Sequence, residues 1–127
     1  ANTLFEGLKP VLNDADVLLA VADPQVFNGA TISNILLATY RDRMPVIAFS
    51  PGYVKAGALM AVYSTPNQIG RQAGTMARAV VQGGALPVSQ YPVEFSVVVN
   101  AHVARSLGLS LDEASLNERM QRLERRP

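Results

Sequence analysis

The chain of 127 residues is 49% hydrophobic and 17% charged, a balance that fits one globular domain and excludes an intrinsically disordered protein. Its 11 basic and 10 acidic residues nearly cancel, so no sequence-wide electrostatic field would attract nucleic acid or an anionic membrane. The chain has no cysteine and one histidine, His102, which excludes disulfides, thiolate chemistry and a metal site built from several histidines.

The first residues predict a helix followed by a strand. Thr3 and Glu6 have the spacing of a capping box, in which a hydroxyl and a carboxylate satisfy each other's free backbone donors, and Pro10 should kink or shorten the helix. Residues 17–22 form a continuous apolar run, without the alternation of a strand that has one wet face. This run predicts a strand buried on both faces, as in a parallel sheet covered by helices.

A second helix and two more strands follow. Residues 28–43 have apolar residues at helical spacing and arginines near the end, and the predicted apolar stripe consists of Ile32, Ile35, Leu36 and Tyr40. Residues 46–49 predict a second buried strand. Residues 53–57 are expected to form a glycine-bearing loop that leads to a third strand at residues 58–63.

The clearest predicted helix covers residues 66–82. Ser64 or Thr65 would cap it, Pro66 fits its first turn, and the glycines at 83–84 would end it. Its apolar stripe should pack on the sheet and consists of Ile69, Ala73, Met76, Ala77 and Val80.

The last quarter of the chain predicts a fourth strand at residues 95–99 and two helices, one capped by Asn100 and one opened by Ser110 and Glu113. Strands that alternate with helices indicate an α/β fold with three layers, in which a mostly parallel sheet carries helices on both faces. The first two strands should be parallel neighbours, because a helical crossover joins them.

Polar side chains follow the first two predicted strands. In open α/β sheets, ligands bind outside the carboxyl ends of the strands. The candidate ligand-binding residues are therefore Asp23, Pro24, Ser50, Pro51, Gly52, Tyr53 and Val54. Asp23 would accept from an ammonium or hydroxyl group, Ser50 with backbone N–H groups would donate to a carboxylate, and Tyr53 would cover a ring. The alternative is that Asp23 and Ser50 are only strand-ending turn residues.

Enzyme chemistry is not predicted. A phosphate loop needs glycines and a lysine ahead of a helix, and Gly52, Lys55 and Gly57 do not have that spacing. The serines have no histidine base at a suitable place, because His102 begins a short, exposed helix. We expect no catalytic residues, no cofactor and no metal site. Residues 1–13 lack the pattern of a signal peptide, so an exported protein would have to be processed or cut.

Residues 47–59, with the sequence Ile-Ala-Phe-Ser-Pro-Gly-Tyr-Val-Lys-Ala-Gly-Ala-Leu, resemble the ABC transporter substrate-binding proteins of the tryptophan/tyrosine-type family. The likeness continues through Gln-Ile-Gly-Arg-Gln at 68–72 and Val-Val-Val-Asn at 97–100, and it covers most of residues 4–110. The resemblance implies a type I periplasmic-binding fold, in which two α/β lobes joined by a hinge trap a ligand between them.

The resemblance also implies how this chain would work. Residues 1–110 would be the C-terminal ligand-binding lobe, and residues 111–127 a terminal charged helix or tail. The lobe would hold a small, amino-acid-like molecule against a missing N-terminal lobe and serve the membrane subunits of an ABC importer. The intact protein would be periplasmic or extracellular and membrane-associated, without direct membrane insertion of this chain and without a nucleic-acid partner.

Two other classes of protein remain as alternatives. The effector-binding lobe of a LacI-like transcription regulator is similar in fold and would use the same loops, although this chain has no helix-turn-helix. A receiver-type signalling domain shares the alternating plan of strands and helices. It needs a cluster of acids around a phosphorylated aspartate, and Asp23 has no acidic neighbour at the other strand ends.

Overall fold

The computed structural model describes residues 2–125. Within them, strands alternate with helices over most of the chain. The elements are α1 (Asn2–Asp14), β1 (Leu18–Leu19), α2 (Ile32–Arg41), β2 (Val46–Ala48), α3 (Pro51–Ala56), β3 (Met60–Tyr63), α4 (Pro66–Val81), β4 (Ser96–Val99), α5 (Ala101–Ser106) and α6 (Glu113–Glu124).

The four strands form one sheet in the order β1-β2-β3-β4. β1 pairs with β2 and β2 with β3 in parallel, while β3 and β4 are antiparallel. In the register, Leu18 lies opposite Val46 and Ile47 lies opposite Met60. The predicted α/β fold with a mostly parallel sheet is confirmed, and so is the parallel pairing of the first two strands.

The core lies between this sheet and the helices α2 and α3. It is built from Leu36, Val46, Ala48, Val54, Ala58 and Ala61. Thr39 is only 1% exposed. A polar side chain can be buried there because its hydroxyl donates within α2 to the carbonyl oxygens of Ile35 and Leu36, both at 3.0 Å. The prediction that Tyr40 belongs to the buried stripe is wrong, since Tyr40 is 60% exposed. A threonine whose hydroxyl is satisfied inside its own helix takes the core position instead.

Both ends of α2 differ from the prediction. The helix begins at Ile32, because the preceding residues form a turn in which the side-chain oxygen of Asn28 accepts from the N–H groups of Ala30 and Thr31 at 2.9 and 3.2 Å. It ends at Arg41, and Arg43 takes a left-handed conformation with φ 53°. Asparagine side chains compete for backbone donors in this way, and this shortens helices at their starts.

α1 departs from the expected helix at its start and at its proline. Thr3 lies inside the helix, so the predicted capping box of Thr3 and Glu6 is wrong. The helix also continues through Pro10 to Asp14 and is not shortened. Pro10 and Glu6 are both exposed, so water can satisfy the Glu6 carbonyl that loses its helical donor.

β1 is shorter and more exposed than the apolar run predicts. Only Leu18 and Leu19 have strand geometry, and Ala20 is buried while Leu19 and Val21 are 65% and 66% exposed. The prediction of burial on both faces is therefore wrong for the described chain. β1 is exposed because it lies at the edge of the sheet, where no other described strand lies beyond it.

The expected loop at residues 53–57 is wrong, because Pro51–Ala56 form helix α3. Ser50 has an extended backbone and caps the helix, accepting from the Gly52 N–H at 3.2 Å. Proline in the first turn costs no hydrogen bond, and Gly57 ends the helix with φ 127°. Serine followed by proline is an ordinary signal of a helix start, and it outweighs the preference of Gly52 and Gly57 for a loop.

α4 has the caps that the sequence predicts. Thr65 and Gln68 form a capping box, with the Gln68 N–H donating to the Thr65 hydroxyl at 3.2 Å and the Thr65 N–H donating to the Gln68 side-chain oxygen at 2.8 Å. The helix ends at Val81, and Gly83 follows with φ 91°. The Gly84 N–H then donates back to the Ala79 carbonyl at 2.9 Å.

The predicted packing of α4 on the sheet is wrong within the described chain. None of its residues is buried, and Ile69 in the middle of its apolar stripe is 55% exposed. A Cβ atom at Gly70 or Gly74 would meet nothing within 4 Å, so these glycines allow no close helix packing. α4 is instead held through polar contacts to the segment before β4, including an ion pair between Arg71 and Glu94 at 2.6 Å.

The two C-terminal helices are capped by asparagine and aspartate. Asn100 caps α5 as predicted: its side-chain oxygen accepts from the N–H groups of His102 and Val103, both at 3.1 Å. Its amide nitrogen also donates to the Val54 carbonyl at 3.0 Å and so ties α5 to α3. The cap of α6 is Asp112 and not the predicted Ser110, because the Asp112 carboxylate lies within 2.8 Å of the Ser115 N–H.

Candidate functional site

The segments that follow β1 and β2 begin at the same edge of the sheet. β1 and β2 are parallel neighbours, with Leu19 opposite Ile47. The turn that begins near Asp23 follows β1, and the start of α3 at Ser50 follows β2. This is the edge at which open α/β sheets bind ligands.

Asp23 organises the turn that follows β1. One carboxylate oxygen, Oδ1, accepts from the Gln25 N–H at 2.9 Å, and the Asp23 carbonyl accepts from the Phe27 N–H at 2.7 Å. The residue is exposed, and among residues 2–125 no group donates a hydrogen bond to its second carboxylate oxygen, Oδ2. Asp23 is therefore a turn residue that still presents one acceptor to solvent. Pro24 is also exposed, and its carbonyl accepts from the Asn28 side chain at 2.8 Å.

Ser50 and the residues after it form the start of α3. The Ser50 oxygen accepts from the Gly52 N–H, and its hydroxyl hydrogen is left to donate elsewhere. Pro51 and Gly52 make the first turn of the helix. Val54 is only 5% exposed, and its side chain packs in the core.

Tyr53 belongs to an aromatic cluster that joins the two loops. Its ring lies edge-on to Phe49, with ring centroids 4.9 Å apart, and Phe49 lies edge-on to Phe27 at 6.3 Å. The Tyr53 hydroxyl also donates to the Phe27 carbonyl at 3.2 Å. All three rings are half-buried, so each keeps part of its surface for another apolar group. Aromatic pairs in this geometry stabilise each other beyond their burial.

Phe27 and Phe49 were not predicted as site residues. Phe49 was predicted only as the last residue of a buried strand. A usable signal was present in the sequence: Phe49 directly precedes Ser50, and Phe27 lies four residues after Asp23.

Asp23 also borders an apolar depression between α1 and β1. Its volume is about 620 Å³, and Asp23 and Phe27 line it together with leucines and valines of α1 and β1. Ser50 and Tyr53 do not line it. The described chain therefore brings Asp23, Ser50 and Tyr53 to one edge of the sheet without enclosing them in one cavity.

Residues 2–125 contain neither a cluster of metal-ligating side chains nor a membrane-spanning helix. No three histidine, aspartate or glutamate side chains in residues 2–125 are close enough to hold a metal ion. None of the helices in that range combines the length and the apolar character that crossing a bilayer requires.

Residues 5–122 match the family described as ABC transporter substrate binding protein. Among curated proteins, none matches the sequence at a significant level. The family match therefore rests on nearly the whole chain, including both candidate loops and most of α6.

Three solved structures are similar in fold. One is a conserved domain protein from Vibrio cholerae, with TM-score 0.61, 24% identity and 91% of this chain covered. Another is an ABC domain in complex with L-Trp from Streptococcus pneumoniae, with TM-score 0.64, 20% identity and 92% covered. The third is a ligand-free, open substrate-binding protein with adhesive properties from Clostridium difficile, with TM-score 0.65, 24% identity and 87% covered. This chain spans only 39%, 41% and 38% of their respective lengths.

Proposed function

Because the chain belongs to the family of ABC transporter substrate-binding proteins, we propose that it is the C-terminal lobe of a solute-binding protein that presents an amino-acid-like ligand to an ABC importer. Proteins of this family bind solutes and are not enzymes, so binding without turnover is the expected activity. The ligand would lie at the carboxyl ends of β1 and β2, between this lobe and an N-terminal lobe.

The observation that carries the proposal is the combination of groups at that edge. Asp23 presents a free carboxylate oxygen, which would accept from a ligand ammonium group. The Ser50 hydroxyl would donate to a ligand carboxylate. Between them, Tyr53 and Phe27 present half-buried rings that would pack against an apolar or aromatic side chain. An amino acid carries these three kinds of group on one small molecule.

The surface of α4 supports the presence of a second lobe. The apolar stripe of this helix contains no buried residue. The segment that follows it adds further exposed apolar side chains, namely Leu86, Val88, Tyr91 and Val93. Apolar side chains exposed in this number along one stretch of chain are typical of a protein interface, because soluble monomers rarely leave large apolar patches exposed. We assign it to the N-terminal lobe, and the solved structures of similar fold are more than twice as long as this chain.

We also propose how this chain is organised and where the intact protein acts. Residues 1–110 would form the ligand-binding lobe and residues 111–127 a terminal charged segment. The intact protein would act outside the cytoplasm, in the periplasm or at the extracellular face, associated with the membrane. Its partners would be the small-molecule ligand, the N-terminal lobe and the membrane subunits of the importer.

A thermal-shift screen of the intact protein tests this function. The probes are the amino acids, with small sugars as the comparison set. A ligand that binds only the folded state at a concentration 100 times its Kd stabilises it by about 2.7 kcal/mol, which a melting curve resolves. We expect one or a few amino acids to raise the melting temperature. A response to sugars alone, or to none of the probes, would contradict the proposed ligand class.

A further inference from the structure

α6 covers the outer edge of β4 with side chains. The Val97 N–H donates to the side-chain oxygen of Asn117 at 2.8 Å, and the Asn117 amide nitrogen donates to the Val97 carbonyl at 3.2 Å. One turn earlier in α6, a carboxylate oxygen of Glu113 accepts from the Val99 N–H at 2.9 Å. Both N–H groups lie on the side of β4 that faces away from β3, because alternate residues of a strand bond to opposite neighbours.

The Asn117 side chain takes the place of a residue in a neighbouring strand. In an antiparallel ladder, two opposite residues exchange an N–H and a carbonyl with each other. The Asn117 carboxamide makes the same pair of hydrogen bonds with Val97. Its remaining amide hydrogen donates to the Glu113 carbonyl within α6. Both amide hydrogens are therefore bonded, and these bonds fix the orientation of the carboxamide.

Polar contacts dominate the attachment of α6 to the sheet. No residue of α6 is buried, and its apolar residues Leu116 and Met120 are only half-buried. The opposite edge of the sheet has no such cover, since among residues 2–125 no side chain bonds to the backbone of Leu18 or Leu19 in β1. The cover is therefore a particular feature of β4. Its few apolar contacts make α6 an element of low local stability.

We propose that α6 guards the β4 edge against pairing with the β4 strand of a second copy of this protein. An uncovered antiparallel edge can pair with its own copy about a two-fold axis, because the same N–H and carbonyl groups then face each other. Glu113 and Asn117 occupy those groups in the monomer. Loss of both side-chain contacts exposes the edge and permits the dimer. This role is independent of ligand binding, since α6 takes no part in the proposed site.

Amide hydrogen exchange in the intact protein tests the cover. Asn117→Ala removes both bonds to Val97 while it favours the helix, and the exchange of the Val97 amide should become roughly two- to tenfold faster. Glu113→Ala should accelerate exchange at Val99, whereas Glu113→Gln keeps an oxygen acceptor and should not. Both Glu113 variants remove the same charge from the start of α6, so the difference between them isolates the hydrogen bond.

The outcome at Ala61 separates the cover from a general loss of stability. Ala61 lies inside the sheet and is fully buried, so its exchange should not change. Equal acceleration at Ala61 and Val97 would overturn the proposal, because it would show global unfolding. Unchanged exchange at Val97 and Val99 would also overturn it.

Sedimentation velocity tests the consequence for association. The double variant Glu113→Ala/Asn117→Ala should form dimers at concentrations where the parent protein does not. Ser115→Ala/Glu124→Ala, at exposed positions of the same helix, is the matched control and should sediment like the parent. In the dimer, exchange at Val97 and Val99 should slow again as concentration rises. A double variant that sediments like the parent, or a dimer without this renewed protection, would refute the pairing.

Discussion

Replacing Asp23 separates two roles that its carboxylate combines. One oxygen accepts from the Gln25 N–H at 2.9 Å and shapes the turn after β1, while the other has no donor among residues 2–125 and would be available to a ligand. Asp23→Asn keeps a side-chain oxygen for Gln25 and removes the negative charge. Asp23→Ala removes both. The two variants should therefore differ in stability and agree in their loss of affinity.

The structure sets the size of each effect. The Asp23 side chain contributes one exposed hydrogen bond to the turn, worth about 0.5–1.5 kcal/mol. Asp23→Ala should therefore lower the free energy of unfolding by that amount, and Asp23→Asn should lower it by less. A charge-assisted hydrogen bond to a ligand ammonium is worth about 1.5–3 kcal/mol. Both variants should thus bind the ligand about ten- to a hundredfold more weakly than the wild type.

Calorimetric titration of the intact protein measures the affinities, with the amino acid that gives the largest thermal shift as ligand. Urea unfolding measures the stabilities. Asp16→Asn is the control, because it removes the same charge at an exposed position before β1. If Asp23→Asn binds as tightly as the wild type, Asp23 does not contact the ligand. If Asp23→Asn is as unstable as Asp23→Ala, the role assigned to Oδ1 in the turn is wrong.

Substitutions at three further positions test the geometry by urea unfolding. Tyr53→Phe removes the hydrogen bond to the Phe27 carbonyl but keeps the ring cluster, so it should cost about 0.5–1.5 kcal/mol of stability and leave affinity within a few-fold of wild type. Asn100→Ala removes the α5 cap and the tie to α3 and should cost about 2–3 kcal/mol, whereas Asn100→Ser keeps a capping oxygen, loses only the tie and should cost about half as much. Gly84→Ala places a Cβ atom 2.7 Å from the Ala79 carbonyl oxygen and should cost more than about 1 kcal/mol. A neutral result for any of the three would contradict the contact on which it rests.

Local signals in the sequence predicted most elements of the fold. The apolar runs before Asp23 and Ser50 located two parallel strands, Asn100 was identified as a helix cap, and the cap of α4 was narrowed to Ser64 or Thr65. These features depend on residues a few positions apart, so a single sequence contains them. Two of the errors were also local competitions: a serine–proline pair began α3 where Gly52 and Gly57 suggested a loop, and the Asn28 side chain delayed the start of α2.

The candidate site was only partly accessible from the sequence. The positions of Asp23 and Ser50 at strand ends follow from the alternation of strands and helices, because parallel strands present their carboxyl ends together. The contribution of Phe27 and Phe49 does not follow from it. Their rings meet because the turn after β1 folds back against α3, a contact between segments more than 20 residues apart.

The amino-acid sequence by itself determined the α/β class, the order of the elements other than α3, the caps of α4 and α5 and the strand-end positions of the polar candidate residues, because propensity, periodicity and capping act within a few residues. Tertiary structure alone decided which apolar surfaces are buried. The same apolar spacing occurs in α2, which packs on the sheet, and in α4, which does not. It also decided that Asn117 reaches the backbone of Val97, since a hydrogen bond between distant segments exists only once both have been placed in space.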